Sequence, residues 1–225
     1  MGHRGALICV WERDIGDRKW DPLWAVASEA QLPLSFHIGG GVKIVPQWNS
    51  WEVAAFSAVV PMQLDEPFAV LMFSGVLERH PGLKIVLAES GAGWLPYFVS
   101  RMDGVFDKYE GRLGGHELKT KPSELFDRQV WATFEEEVFG PALLPLLGVE
   151  NFMWASDYPH LDSTFPNSAR AIREALGYRS AHFPLADHYN SDRCMYGDAH
   201  TRLVESADWR EHIVPHTHRY MTEDL

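Results

Sequence analysis

Residues 83–109 read LKIVLAESGAGWLPYFVSRMDGVFDKY. A largely apolar run at 84–88 is followed by a glycine-rich turn and then, over 93–109, by apolar residues at helical spacing. A run that is continuously apolar, rather than alternately apolar, is typical of a strand buried on both faces of a parallel sheet. The stretch therefore predicts one strand–turn–helix unit of an α/β protein.

The same pattern recurs along the chain. Further strands are predicted at 6–11, 33–38, 129–134 and 152–155. Further helices are predicted at 21–31, 65–79, 136–147 and 167–176. Such a βα series forms either a doubly wound sheet or a barrel. A complete eight-unit barrel takes about 250 residues, or about 30 per unit. Five units and a tail therefore fill this chain of 225 residues, which predicts a partial barrel.

Composition narrows the class of protein further. The chain is 46% hydrophobic and 23% charged, as in an ordinary folded domain. Its net charge of −11 argues against nucleic acid or an anionic membrane surface as a partner. The two cysteines, Cys9 and Cys194, form no paired motif, which argues against a disulfide framework or a thiolate zinc site. Without a signal-peptide layout or a membrane-length apolar run, we expect a cytoplasmic protein.

Polar side chains end four of the predicted strands: His37, Glu89, Glu135 and Asp157. In a parallel barrel the side chains at the carboxyl ends of the strands meet at one mouth, where catalysis takes place. Imidazole and carboxylate together are ligands for zinc and similar divalent ions. The strand ends therefore predict a metal site.

Three of these residues also have a structural explanation. His37 fits a hydrogen-bonded core histidine, Glu89 a carboxylate near a helix N-terminus, and Asp157 a turn residue. The turn at 91–93 resembles a phosphate cradle only weakly, because no Lys-Ser or Lys-Thr follows, so a tight turn is favoured. His160 fits either a substrate contact or an ordinary loop residue.

The connection at 39–63 is unusually long and is a candidate active-site lid. It carries Trp48 and Trp51. With Trp94, these side chains either wall a pocket for an aromatic or planar acid or pack in the core.

Three stretches resemble a known family: FHIG at 36–39, HPGLKIVLAESGAGWLPY at 80–97 and SDYPHLDS at 156–163. They are similar to the amidohydrolase-related branch of the amidohydrolase superfamily, which includes aminocarboxymuconate-semialdehyde decarboxylase. The resemblance implies a partial TIM-like (β/α) barrel that holds approximately strands four to eight and lacks the first strands. It implies one domain over 1–197 and a divergent tail over 198–225, whose histidines we interpret as surface residues.

The resemblance also implies roles for individual side chains. His37 and Asp157 would bind a divalent metal, zinc or alternatively manganese, and Asp157 would also accept a proton. Glu89 would be a second catalytic residue. The substrate, a small organic molecule, is expected to contact three further side chains: His160, Trp48 and Trp94.

Two departures from the family pattern affect the predicted reaction. The strand-one His-x-His pair has no counterpart, and two ligands are fewer than the three that catalytic zinc usually has. Glu89 also stands where the decarboxylases have a histidine. We therefore favour a hydrolase that attacks a small acid, amide or lactone with metal-activated water. The alternatives are a metal-dependent decarboxylase and a non-catalytic remnant, and open sheet edges suggest a homo-oligomer.

Overall fold

The computed structural model of the chain describes residues 5–10, 14–38, 47, 49–109, 118–137, 139–160 and 163–177. The predicted tail and the boundary at 197 lie outside these residues. Within them, five strands form one sheet: β1 Ala6–Cys9, β2 Leu34–His37, β3 Ile85–Ala88, β4 Val130–Phe134 and β5 Phe152–Trp154. All five fall inside the predicted runs.

Strand order decides between the two predicted architectures. Each strand pairs in parallel with the next one along the chain, giving the order β1-β2-β3-β4-β5. A doubly wound sheet reverses its order at a switch point, whereas a barrel adds each strand on the same side. The sheet is therefore an arc of a (β/α) barrel, and the prediction of a partial TIM-like barrel is confirmed.

Helices connect the strands: α1 Asp21–Glu29, α2 Trp51–Val59, α3 Asp65–Phe73, α4 Val76–Arg79, α5 Leu95–Tyr109, α6 Pro122–Gln129, α7 Gly140–Leu143 and α8 Ser168–Gly177. Short 3-10 turns add Arg18–Trp20, Val60–Leu64, Leu144–Leu146 and Val149–Asn151. None of the helices in the described ranges is long and apolar enough to cross a bilayer.

Two of the predicted helices are interrupted. The helix predicted over 65–79 breaks at Gly75, whose φ of 76° is left-handed, so it forms α3 and α4 instead. The helix predicted over 136–147 is confined to α7 and a 3-10 turn. Pro141 and Pro145 stand at the starts of these two short pieces, where proline is tolerated but a long helix is not continued.

Two other helices were not predicted. The long connection over 39–63 contains α2 and most of a 3-10 turn, so its second half is helical rather than an open loop. Its residues 39–46 and 48 lie outside the described ranges. The helix α6 was missed although Pro122 at its first turn is a helix-start signal.

The core lies between the sheet and the helices. Its largest fully buried side chains include Trp24, Phe36, Phe68 and Phe126. Phe68, from α3, is the centre of an aromatic cluster, with its ring centroid 6.4 Å from that of Trp94 and 6.2 Å from that of Phe126. This cluster packs α3, α5 and α6 together behind the strands that carry the candidate site.

One buried amide fastens the residue before β5 to the end of α6 and the start of β4. The Asn151 Nδ2 group donates to the carbonyl oxygens of Phe126 at 3.1 Å, Asp127 at 3.0 Å and Val130 at 2.8 Å. Asn151 is 3% exposed, so water does not replace these bonds when they are lost. The amide therefore sets the position of β5, which leads directly into Asp157.

Asn151→Ala is expected to lower the free energy of unfolding by about 2–4 kcal/mol, because it leaves buried carbonyl groups unpaired and opens a small cavity. Asn151→Asp should be at least as damaging, since it places a carboxylate oxygen against those three carbonyl oxygens. Urea unfolding of both variants measures the loss. An Asn151→Asp chain as stable as the parent would contradict this account.

Candidate metal centre

Three predicted residues meet at the carboxyl edge of the sheet. His37 ends β2, Glu89 follows β3 and Asp157 lies shortly beyond β5. The His37 Nε2 atom is 2.8 Å from Glu89 Oε1, and a carboxylate oxygen of Glu89 lies within 4.8 Å of one of Asp157. The parallel strands thus bring together side chains that are far apart in sequence.

The backbone is strained at both acidic residues. Glu89 has φ 56° and Asp157 has φ 54°, in the left-handed region that residues other than glycine seldom adopt. Such a conformation costs on the order of 1–3 kcal/mol and is concentrated at functional sites. At Glu89 the neighbouring strand holds it in place, because the Glu89 backbone N–H donates to Thr133 Oγ1 at 2.8 Å.

Glu89 holds its proton more tightly than an ordinary glutamate. Burial and then the negative charge of Asp157 raise the pKa of Glu89, and the charge of His37 opposes this only in part. His37 Nδ1 contacts the carbonyl oxygen of Ile38, which leaves Nε2 to face Glu89. A carboxyl group that faces an imidazole nitrogen and a second carboxylate needs either a proton or a cation beside it.

His160 adds a second imidazole. Its Nδ1 atom is 2.8 Å from Asp157 Oδ2, and its side chain is 60% exposed. Ligand atoms of Glu89, Asp157 and His160 all lie within 4.8 Å of one another. With His37 beside Glu89, the site offers two imidazoles and two carboxylates, a donor set that fits zinc or manganese. The substrate contact expected of His160 stays a prediction.

The other predicted site residues are less central. Trp94 packs edge-on against Phe68 and 5.3 Å from the Phe98 ring, and its Nε1 donates to the Ser90 carbonyl at 2.7 Å. It braces the turn after Glu89, and a contact with substrate stays a prediction. Trp48 lies outside the described residues, and Trp51 begins α2 with 75% of its surface exposed.

Sequence reasoning missed Glu137. Its carboxylate accepts the backbone N–H groups of Ala92 at 2.7 Å and Gly93 at 2.8 Å. These N–H groups are therefore occupied, which supports a tight turn at 91–93 rather than a phosphate cradle. Burial raises the pKa of Glu137, and the two N–H donors oppose that shift. A run of three glutamates at 135–137 resembles a solvated surface, so the sequence gives little signal for this role.

Comparison with known proteins identifies the family. The family model described as amidohydrolase matches residues 10–181. The chain belongs to the amidohydrolase family. This confirms the resemblance read from the three motifs, and the superfamily is one of metal-dependent enzymes. No curated protein sequence matches the chain.

Solved structures of amidohydrolases share the fold. An amidohydrolase from Mycobacterium avium subsp. paratuberculosis is 22% identical over 77% of this chain and 49% of its own, with a TM-score of 0.58. A 5-carboxyvanillate decarboxylase from Sphingomonas paucimobilis is 25% identical over 76% of this chain and 52% of its own, with a TM-score of 0.62.

A third amidohydrolase-fold structure contains a metal ion. It is a dihydroxybenzoic acid decarboxylase from Polaromonas sp. with bound manganese and 2-nitroresorcinol, 16% identical over 84% of this chain and 54% of its own, with a TM-score of 0.52. This chain spans about half the length of the three structures. A divalent metal is thus supported at the level of the superfamily, and zinc as its identity stays a prediction.

Proposed function

We propose that this chain forms the active-site half of a metal-dependent decarboxylase that acts on a small, planar carboxylic acid. The observation that carries this proposal is the position of the Glu89 carboxyl group at the carboxyl edge of the sheet, 2.8 Å from His37 Nε2 and within 4.8 Å of the Asp157 carboxylate. Decarboxylation requires a group that can deliver a proton to carbon. The sequence alone favoured hydrolysis because Glu89 replaces a histidine, but a carboxyl group can also deliver a proton, and burial raises the pKa of Glu89 in the direction that favours this role.

In the proposed step, Glu89 transfers its proton to the substrate carbon as CO2 leaves. The bond between the substrate carbon and its carboxylate breaks, and CO2 leaves without the bonding electron pair. That pair takes the proton of Glu89, which becomes a carboxylate. Burial and the charge of Asp157 then favour return of a proton from solvent, because both disfavour a second carboxylate at this position.

The metal ion would be held by His37, Asp157 and His160. When bound, it would supply positive charge that binds and orients the acidic substrate. His37 would present Nε2 to the ion, because its Nδ1 atom is engaged with the Ile38 carbonyl, and the ion would then replace the present contact of Nε2 with Glu89. Asp157 is oriented by the contact of its Oδ2 atom with His160 Nδ1.

Two of the similar structures support the substrate class. One is a 5-carboxyvanillate decarboxylase and the other a dihydroxybenzoic acid decarboxylase, so both act on small aromatic acids according to their names. Since this chain spans about half the length of each, decarboxylation of such acids is proposed for it by similarity alone. Hydrolysis, which the sequence predicted, remains the competing reaction, and the products formed distinguish it from decarboxylation.

Metal binding tests the first half of the proposal. We expect the parent chain to bind Mn²⁺ or Zn²⁺ with a stoichiometry near one ion per chain. The double variant His37→Ala, Asp157→Ala should bind none. Isothermal titration of both chains, with circular dichroism to show that both are folded, provides the measurement. A parent that binds no ion would contradict the proposal and favour a non-catalytic chain.

Product analysis tests the second half. The metal-loaded protein should release CO2 from a panel of hydroxylated benzoic acids and leave lactones, amides and esters unchanged. Hydrolysis of those bonds without CO2 release would replace the decarboxylase with the predicted hydrolase.

A further inference from the structure

The carboxylate of Glu137 binds the backbone of the turn that follows β3. Its Oε1 atom accepts the Ala92 N–H at 2.7 Å, and its Oε2 atom accepts the Gly93 N–H at 2.8 Å. Glu137 comes from the segment after β4, so these two bonds join neighbouring strand ends. Both oxygens of a half-buried carboxylate are engaged, and the carboxylate is therefore held in one orientation.

Three glycines make room for this carboxylate. A Cβ atom on Gly91 would lie 2.6 Å from Glu137 Oε1, and one on Gly140 would lie 2.0 Å from Oε2. A Cβ atom on Gly93 would lie 3.3 Å from Oε2. Gly91 also has φ 66°, which strains any larger residue. The Glu137 carboxylate is therefore packed closely against the backbone of the turn and of Gly140.

The same turn is fixed at two further points. The Glu89 N–H donates to Thr133 Oγ1 at 2.8 Å, and Trp94 Nε1 donates to the Ser90 carbonyl at 2.7 Å. Glu137 supplies the third attachment, beyond Ser90. The strained backbone of Glu89 lies at the start of this anchored segment, and strain of that kind persists only where surrounding contacts over-determine it.

We propose that Glu137 is a positioning residue, which anchors the turn at 91–93 and so keeps the Glu89 carboxyl against His37 and Asp157. Its contribution passes through the backbone, since the bonds that the structure gives Glu137 go to the amides of Ala92 and Gly93. The proposal depends on the proposed function only for the role of Glu89 at the metal site. The anchoring of the turn depends on the two hydrogen bonds of Glu137 and not on that function.

Glu137→Gln tests the positioning role. Glutamine has the same shape, but its NH2 group must face one of the two backbone N–H donors, so one anchoring bond is lost. We expect the Kd for Mn²⁺ to stay within about twofold of the parent, because Glu89 is the proton donor and not a metal ligand, while single-turnover CO2 release slows about tenfold. The matched control is Glu136→Gln, which removes the same charge from an exposed neighbour and should release CO2 like the parent. Both chains are assayed under conditions where circular dichroism shows them folded.

A purely structural role gives a different result. Glu137→Gln would then lower the urea midpoint while its rate of CO2 release stayed within about twofold of that of the Glu136→Gln control, and the proposal would be overturned. Hydrogen exchange provides a readout that does not depend on metal. The amides of Ala92, Gly93 and Glu89 should exchange faster in Glu137→Gln than in the control.

Failure of the two proposals can be told apart. If the parent binds no Mn²⁺, the proposed function fails, yet faster exchange at the Glu89 amide still supports the anchor. If the Glu89 amide exchanges equally in Glu137→Gln and Glu136→Gln, Glu137 does not position Glu89, whatever the metal result.

Discussion

Glu89→Gln is expected to bind Mn²⁺ like the parent but to release CO2 about 10²–10⁴-fold more slowly, the range typical for removal of a general acid. Glutamine keeps the shape of the side chain and can still contact His37 and Asp157, but it has no acidic proton to deliver to carbon. The bond from the Glu89 N–H to Thr133 Oγ1 is made by the backbone, so the turn keeps its conformation. Single-turnover CO2 release and Mn²⁺ titration provide the two measurements.

Together, the two measurements distinguish a proton-donor role for Glu89 from a role as metal ligand. Its ligand atoms lie within 4.8 Å of those of Asp157 and His160, so it is close enough to be a metal ligand. Loss of Mn²⁺ binding in Glu89→Gln would show that it is one and would contradict its assignment as proton donor. Glu136→Gln again serves as the control, since it removes a nearby exposed carboxylate and should change neither quantity.

The strands could be predicted because each is a short, continuously apolar run. All five observed strands fall within those runs, and their sequential order selects the barrel over the doubly wound sheet. Helices were harder to predict where a boundary depends on one residue or where the apolar residues do not lie on one face. Gly75 ends α3 through a single left-handed residue, and α2 is apolar at all positions except Glu52 and Ser57, so it shows no one-sided apolar stripe. The apolar periodicity of α5 is marked, and that helix was placed correctly.

The candidate site was predictable only as far as residue type and strand ends allow. His37, Glu89 and Asp157 all follow predicted strands, and the parallel sheet brings them to one edge. Their electrostatics were not predictable, because the raised pKa of Glu89 arises from burial and from Asp157, which is distant in sequence. That is why residue type alone counted Glu89 against decarboxylation. Glu137 was missed for a similar reason, since its partners lie across the fold.

The core behind the site explains how the turn after Glu89 is supported. Phe68 is fully buried, and its ring centroid is 6.4 Å from that of Trp94 and 6.1 Å from that of Phe98. Trp94 in turn donates from Nε1 to the Ser90 carbonyl. The packing of α3 against α5 therefore extends to Ser90, the residue next to Glu89. Loss of that packing should lower the free energy of unfolding and increase the mobility of the turn.

Phe68→Ala is expected to lower the free energy of unfolding by about 3–5 kcal/mol, because it leaves a cavity among aromatic rings that can collapse only in part. A domain of this kind is stable by about 5–15 kcal/mol, so this is a large share of the total. Phe139→Ala is the matched control: Phe139 is 72% exposed, and its loss should change stability by no more than about 0.5 kcal/mol. Urea unfolding measures both variants, and equal losses would contradict the assignment of Phe68 to the core. Faster hydrogen exchange at the Ser90 and Gly91 amides in Phe68→Ala would further show that the aromatic cluster supports the turn that carries Glu89.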